Sequence, residues 1–184
     1  NIIDIESERL SNLISDILTL SSIENDTLLS TRERVDLRKI SNDALLLLGK
    51  NIVENSITVI NEIPQDSMVI ADSDRIKQLF INLLDNAIKY NRTGGSITLY
   101  TKDDDNFIEI HISDTGIGIE KKHFDRLFER FYRVDKGRSR EMGGTGLGLS
   151  IVKHIALLYN GSVSVTSTPG EGSDFCIRLP KINK

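Results

Sequence analysis

The stretch from Asp72 to Tyr90 constrains this chain most. Ile76, Leu79, Phe80, Leu83, Leu84, Ala87 and Ile88 recur at the spacing that lays a continuous apolar stripe along one side of an α-helix. Asp72, Ser73 or Asp74 can cap its start by accepting from amides that have no partner inside the helix. A stripe this wide must be covered. Ser96 to Lys102 and Phe107 to Ser113 read as strands joined by the acidic turn Asp103-Asp104-Asp105-Asn106, with Ile108, Ile110 and Ile112 alternating toward one face.

The rest of the chain continues this alternation of helix and strand. Leu37, Ile40, Ala44, Leu47 and Leu48 predict a helix from Leu37 to about Asn55. Ile57 to Ile63 and Met68 to Ala71 read as short strands around a turn at Pro64-Gln65-Asp66-Ser67. Glu120 to Arg130 and Leu147 to Tyr159 read as helices. Gly161 to Thr168 and Asp174 to Leu179 close the chain as strands. The expected fold is α/β: a two-layer sandwich of a mixed β-sheet with helices on one face.

Ile2 to about Glu24 stands apart as one long helix. Ile3, Leu10 and Ile17 recur every seven residues, and Leu13, Ile14, Leu18 and Leu20 widen the stripe. That surface needs partner helices, or else packing on its own domain. Ser22 to Arg34 is polar and turn-rich. The expected organisation is a helix over 1–25, a linker over 26–34 and a domain over 35–184.

Net charge is -4 with both signs dispersed, unlike the clustered basic face of a nucleic-acid binder. The single Cys176 forms no internal disulfide, which fits a reducing, cytoplasmic setting. No apolar run approaches the roughly 20 residues of a membrane span, and no signal-peptide pattern opens the chain. Asn1 is not an initiator methionine, which fits a piece of a longer protein.

Three polar motifs interrupt this scaffold. In Asn82-Leu83-Leu84-Asp85-Asn86-Ala87-Ile88-Lys89-Tyr90, Asn82, Asn86 and Tyr90 share one helix face, with Lys89 beside them. Asparagine is a middling helix former. Its carboxamide oxygen is a suitable neutral ligand for Mg²⁺ beside phosphates, and Lys89 offers phosphate a point charge. A plain solvated face reads the same way. Asp114-Thr115-Gly116-Ile117-Gly118 ends a strand, where glycine permits a tight turn and Asp114 can accept from an amino group such as adenine N6.

Gly143-Gly144-Thr145-Gly146-Leu147-Gly148-Leu149 opens a helix, and backbone amides freed of side-chain bulk there make an anion site. The glycine spacing fits neither a P-loop nor a dinucleotide fingerprint. Five of the thirteen glycines fall between Gly137 and Gly148, so a hinge and a phosphate loop are both served. Pro169-Gly170-Glu171-Gly172-Ser173-Asp174-Phe175 is by itself a hairpin turn. In Phe128-Glu129-Arg130-Phe131-Tyr132-Arg133, Phe128 and Phe131 suit core packing, whereas Arg133 enters the polar loop and can reach a terminal phosphate.

These blocks, in this order, resemble the ATP-binding domain of sensor histidine kinases over about residues 35 to 180. Asn82 to Tyr90 resembles the family's N box, Asp114 to Gly118 its first glycine box and Phe128 to Phe131 its F box. Gly144 to Leu149 resembles the second glycine box and Gly170 to Phe175 the third. Residues 1 to 25 resemble the second helix of the dimerisation and histidine-phosphotransfer hairpin. The resemblance implies a Bergerat-type sandwich shared with gyrase-like and chaperone ATPases.

It also implies Mg²⁺ on Asn86, adenine on Asp114, phosphate or ribose contacts from Lys89, Tyr90 and Arg133, and a place for Asn82 in the ATP site. Gly116, Gly118 and Ile119 would line the nucleotide site, with a lid from about Ile119 to Gly144. Thr145, Gly146, Leu147 and Gly148 would hold phosphates, Gly144 and Leu149 would belong to the same ATP site, and Ser173 would line the base pocket.

The resemblance further implies ATP and Mg²⁺ as cofactors, a response regulator receiver domain as partner, and a homodimeric parent anchored in the cell membrane. The phosphoacceptor histidine belongs to a His-Glu-Leu-Arg-type box on the hairpin's first helix, and no such box occurs here. His111, His123 and His154 read as surface residues. ATPase relatives carry Glu where Asn82 stands, and an amide is no base for water near neutral pH. A phosphoryl donor with slow hydrolysis is therefore expected. The rival readings are an ATPase of the same superfamily, a protein-serine kinase, and a module that binds a partner without nucleotide.

Overall fold

The computed structural model describes residues 2–25, 32–134 and 144–182. Its elements are α1 (Ile2–Asn25), β1 (Glu33–Asp36), α2 (Leu37–Leu47), α3 (Gly49–Glu54), β2 (Thr58–Asn61), β3 (Met68–Ala71) and α4 (Ser73–Lys89). There follow β4 (Ser96–Asp103), β5 (Phe107–Asp114), a 3-10 helix (Lys121–Arg126), α5 (Gly148–Leu158), β6 (Ser162–Thr168) and β7 (Gly172–Pro180). Five strands form one mixed sheet in the order β2-β4-β5-β7-β6, with β2 parallel to β4 and the other pairs antiparallel.

The core lies between this sheet and the helices. All seven residues of the α4 stripe are at most 3% exposed. They meet Ile97 and Leu99 of β4, Ile108, Ile110 and Ile112 of β5, and Ile177 and Leu179 of β7, all buried in the same cluster. Period-two alternation sends the intervening strand residues to the other face. Asp72 caps α4 as expected, its carboxylate accepting from the Asp74 and Arg75 amides. The Asp72 amide in turn donates to the Tyr159 hydroxyl at the end of α5.

Local pattern and structure part company in four places. The helix expected from Leu37 to Asn55 breaks at Leu48, whose φ −94°, ψ 3° ends α2 before Gly49 begins α3. Glu33 and Arg34, read as the end of the linker, instead open a strand, Glu33–Asp36, that pairs antiparallel with β3. β2 and β3, on either side of one turn, therefore belong to different sheets. The helix expected from Glu120 to Arg130 is a 3-10 turn over Lys121–Arg126.

α1 lies along α5. Its last turns are tied down: Leu20 and Ile23 are buried, and Arg75 donates to the Ser22 hydroxyl. Farther back, Leu10, Ile14, Ile17 and Leu18 stay exposed. Among the described residues no helix is long and apolar enough to cross a membrane.

Candidate nucleotide site

A cleft of about 570 Å³ opens between α4, the glycine loop before α5, the ends of β5 and β7, and the middle of α1. Helical spacing delivers its floor. Gln78, Asn82, Asn86 and Tyr90 lie four apart on α4, with Ile81, Asp85 and Lys89 beside them, and all seven line the cleft. Lys89 is anchored to Asp85 one turn earlier by a 2.6 Å ion pair.

Sheet register supplies the far wall. Asp114, last residue of β5, stands opposite Ser173 of β7, and both are buried at the cleft. Burial in apolar surroundings raises the Asp114 carboxyl from 3.8 to about 6, against the pull of hydrogen bonds from the Gly116 and Ser173 amides. Gly116 donates at 2.8 Å. A Cβ on Gly116 would run into the Tyr90 carbonyl oxygen, so only glycine lets β5 turn so close to the end of α4. Gly118 turns at φ +68° against the Thr168 carbonyl.

The glycine loop forms the third wall. Gly146 takes φ +77° with the Phe131 backbone beside it, and its carbonyl accepts from the Phe131 amide. α5 then begins with no side-chain cap, and Gly148 and Leu149 of its first turn line the cleft, so amides without a capping acceptor lie at the cleft wall. Thr145 Oγ1 accepts from the Leu147 amide and donates to Asp16 Oδ2 of α1 at 2.6 Å. Burial raises the Asp16 pKa, while the Thr145 hydrogen bond and nearby Lys89 oppose the rise.

Two buried donors in the cleft, Asn82 Nδ2 and Arg133 Nη2, have no hydrogen-bond partner. Buried donors of this kind are rare because leaving them unpaired costs about 1–3 kcal/mol each. With the uncapped helix they make a region ready to accept anionic oxygen. The carboxamide of Asn86 and the carboxylate of Asp85 add the oxygen donors a Mg²⁺–phosphate group requires. The residues thus fit a nucleotide triphosphate with its cation.

Most residues expected from sequence converge here. Asn82, Asn86, Lys89, Tyr90, Asp114, Gly118, Ile119, Arg133, Gly144, Thr145, Gly146, Gly148, Leu149 and Ser173 all line the cleft. Gly116 supports it from behind, and the Leu147 side chain points into the core instead. Gly143 and most of the expected lid, 135–143, lie outside the described residues.

Phe128 packs edge-on against Phe175, as its core assignment requires. Phe131 departs from expectation, standing 58% exposed at φ +62°. Of the histidines read as surface residues, His111 is buried at 6% exposure.

Sequence reasoning missed Gln78, Ile81 and Asp85, although helical spacing from Asn82 and Asn86 already implied them. It also missed Tyr132, which lines the cleft while its hydroxyl meets His123 Nδ1 at 2.6 Å. Asn12, Ser15 and Asp16 of α1 carried no local signal at all, because their place depends on how α1 docks.

Comparison with known proteins agrees with this geometry. Residues 71–183 match the family described as histidine kinase-, DNA gyrase B-, and HSP90-like ATPase. The sensor-like histidine kinase SenX3 of Mycolicibacterium smegmatis is 38% identical over 96% of this chain and 46% of its own length. The sensor protein kinase WalK of Staphylococcus epidermidis is 38% identical over 95% of this chain and 29% of its own. The chain thus spans less than half the length of these curated relatives.

Full-length ShkA, solved in complex with AMPPNP, superposes with a TM-score of 0.80 at 25% identity, covering 95% of this chain and 36% of that one. A mixed five-stranded sheet under helices, a cleft built from the asparagine face, the Asp114 turn and the glycine loop, and a family match over most of the chain agree: this chain belongs to the histidine kinase-, DNA gyrase B- and HSP90-like ATPase family, and the relatives it resembles include sensor histidine kinases.

Proposed function

We propose that this chain is the catalytic portion of a sensor histidine kinase, binding Mg-ATP and donating the γ-phosphoryl group to a histidine on a separate helix. The observation that carries the reading is the convergence of the α4 asparagine face, the Asp114–Ser173 pair and the glycine loop on one cleft. Bound ATP supplies the phosphoryl group and Mg²⁺ the charge neutralisation.

The protein's part is positioning and electrostatics. Asp114 accepts from the adenine amino group, with Ser173 beside it. Asn86 offers its carboxamide oxygen to the cation. Arg133, Lys89 and the first amides of α5 stabilise negative charge at the phosphate end. Asn82, which cannot serve as a base for water, leaves hydrolysis slow.

The remaining parts of the reading follow from α1. Its residues Leu10, Ile14, Ile17 and Leu18, about half exposed, suit a partner helix, each adding on the order of 1 kcal/mol when the remaining surface is buried. That helix would carry the phosphoacceptor, in a homodimeric, membrane-anchored parent that passes the phosphoryl group to a response regulator. The domain division at 1–25, 26–34 and 35–184 belongs to the same proposal. β1, which begins at Glu33, extends the catalytic unit slightly into the linker.

Calorimetric titration with ATP and Mg²⁺ tests the core of this reading. Binding is expected in the wild type and lost in Asn86→Ala and Asp114→Ala, with circular dichroism unchanged. No heat at millimolar ATP would end the kinase reading. Incubated with labelled ATP alone, the chain is expected to gain no acid-labile phosphate, whereas a supplied histidine-bearing hairpin is expected to become labelled.

A further inference from the structure

The face of the sheet turned away from the helices carries a second constellation that the nucleotide reading does not use. The geometry points to a zinc-class transition-metal site formed by Glu109, His111 and Cys176. Glu109 and His111 are two apart on β5 and so share a face. Cys176 of β7 stands directly opposite His111. One donor atom from each lies within 4.8 Å of the other two. Tetrahedral donors at metal–ligand distances of about 2.0–2.3 Å sit roughly 3.3–3.6 Å apart, so closure takes about an ångström of movement in the half-buried Glu109 and Cys176 side chains.

His111 is held as a ligating imidazole is held. Its ring stacks on Tyr100 at 4.5 Å and 5°. Its Nδ1 lies 2.9 Å from Asp174 Oδ2, and a carboxylate only accepts, so Nδ1 carries a proton; in the neutral ring this leaves the Nε2 lone pair for a metal. That Nε2 is buried without a hydrogen-bond partner, with Glu109 Oε2 3.7 Å away. A carboxylate on one nitrogen and a free lone pair on the other is the arrangement by which a second residue orients a metal-bound histidine. Tyr100 donates to the same Asp174 oxygen and steadies it.

The donor set selects the ion. One imidazole, one thiolate and one carboxylate suit Zn²⁺ and its neighbours, whereas Mg²⁺ and Ca²⁺ prefer oxygen alone. Three protein ligands leave a fourth position for water. Arg178 competes for Glu109 only weakly, at 3.6 Å, because its own Nη2 is bound to Asp104 at 2.7 Å. The Cys176 thiol proton, held more tightly through burial and Glu109, would be released to solvent when the metal takes the thiolate. The site stands independently of the nucleotide proposal, on the opposite face of the same strands.

The test is a titration of the reduced, chelator-stripped chain with Co²⁺, then Zn²⁺, in excess Mg²⁺. One equivalent of Co²⁺ is expected to produce a sulfur-to-metal charge-transfer band, which Zn²⁺ abolishes by displacement. Cys176→Ser is expected to remove the band, and Glu109→Gln to weaken Zn²⁺ at least tenfold. Asp174→Asn, which touches no metal, is expected to weaken Zn²⁺ by about 10–100-fold. Circular dichroism reports the fold of each variant, and Glu109→Gln serves should Cys176→Ser fail to fold. Absence of the band in the wild type, or Zn²⁺ affinity unchanged in Glu109→Gln, would overturn the site.

Discussion

Asp114 ties the stability of the fold to its chemistry. Its carboxyl is raised to about 6 when folded against 3.8 when free, so the folded chain holds a proton that the unfolded chain has lost between those values. Stability therefore falls as pH rises from about 4 to about 6, by on the order of 3 kcal/mol, and stays lower above. Asp114→Asn removes the buried charge. We expect its unfolding free energy at pH 7.5 to equal or exceed that of the wild type in urea titrations, while ATP affinity drops at least tenfold. A variant both unstable and non-binding would show that the carboxylate serves the fold instead. Gly118 is the opposite case. With φ +68° and the Thr168 carbonyl in the way of a Cβ, Gly118→Ala is expected to cost about 2 kcal/mol or more by the same measurement.

At the level of elements, α4 shows why so much was legible. One helical period sorts its seven buried residues from the polar ones facing the cleft, and both sets can be read from spacing alone. β1 shows the limit. Glu33-Arg34-Val35-Asp36 has a single apolar residue and becomes a strand only because β3 lies alongside it, a choice made by tertiary context. The break at Leu48 was hidden because both halves keep apolar residues at helical spacing.

The contribution of α1 to the cleft was equally invisible, since Asp16 meets Thr145 across 129 residues of chain. That contact carries a prediction. Asp16→Asn keeps an acceptor for Thr145 but removes a negative charge from the phosphate end. ATP is expected to bind about three- to tenfold more tightly, corresponding to roughly 1 kcal/mol of relieved repulsion. The gain should shrink at high salt, and calorimetry showing unchanged or weaker binding at low ionic strength would reject it.

For the whole molecule, the unpartnered stripe of α1 is the feature the isolated chain leaves unsatisfied. Ile14, exposed at 50%, belongs to neither the core cluster nor the cleft lining. Ile14→Glu is expected to leave stability within about 0.5 kcal/mol and ATP binding intact, yet to slow phosphoryl transfer to a supplied hairpin at least tenfold. Equal transfer rates would mean that the helix engages no partner.

β5 and β7 serve two surfaces at once, with Ile112 and Phe175 turned one way and His111 and Cys176 the other. Deleting one residue from the middle of either strand would swap inside for outside along its whole remaining length, exchanging the residues of the two faces in a single step. Within these two strands, change is therefore confined to substitution, which alters one face at a time.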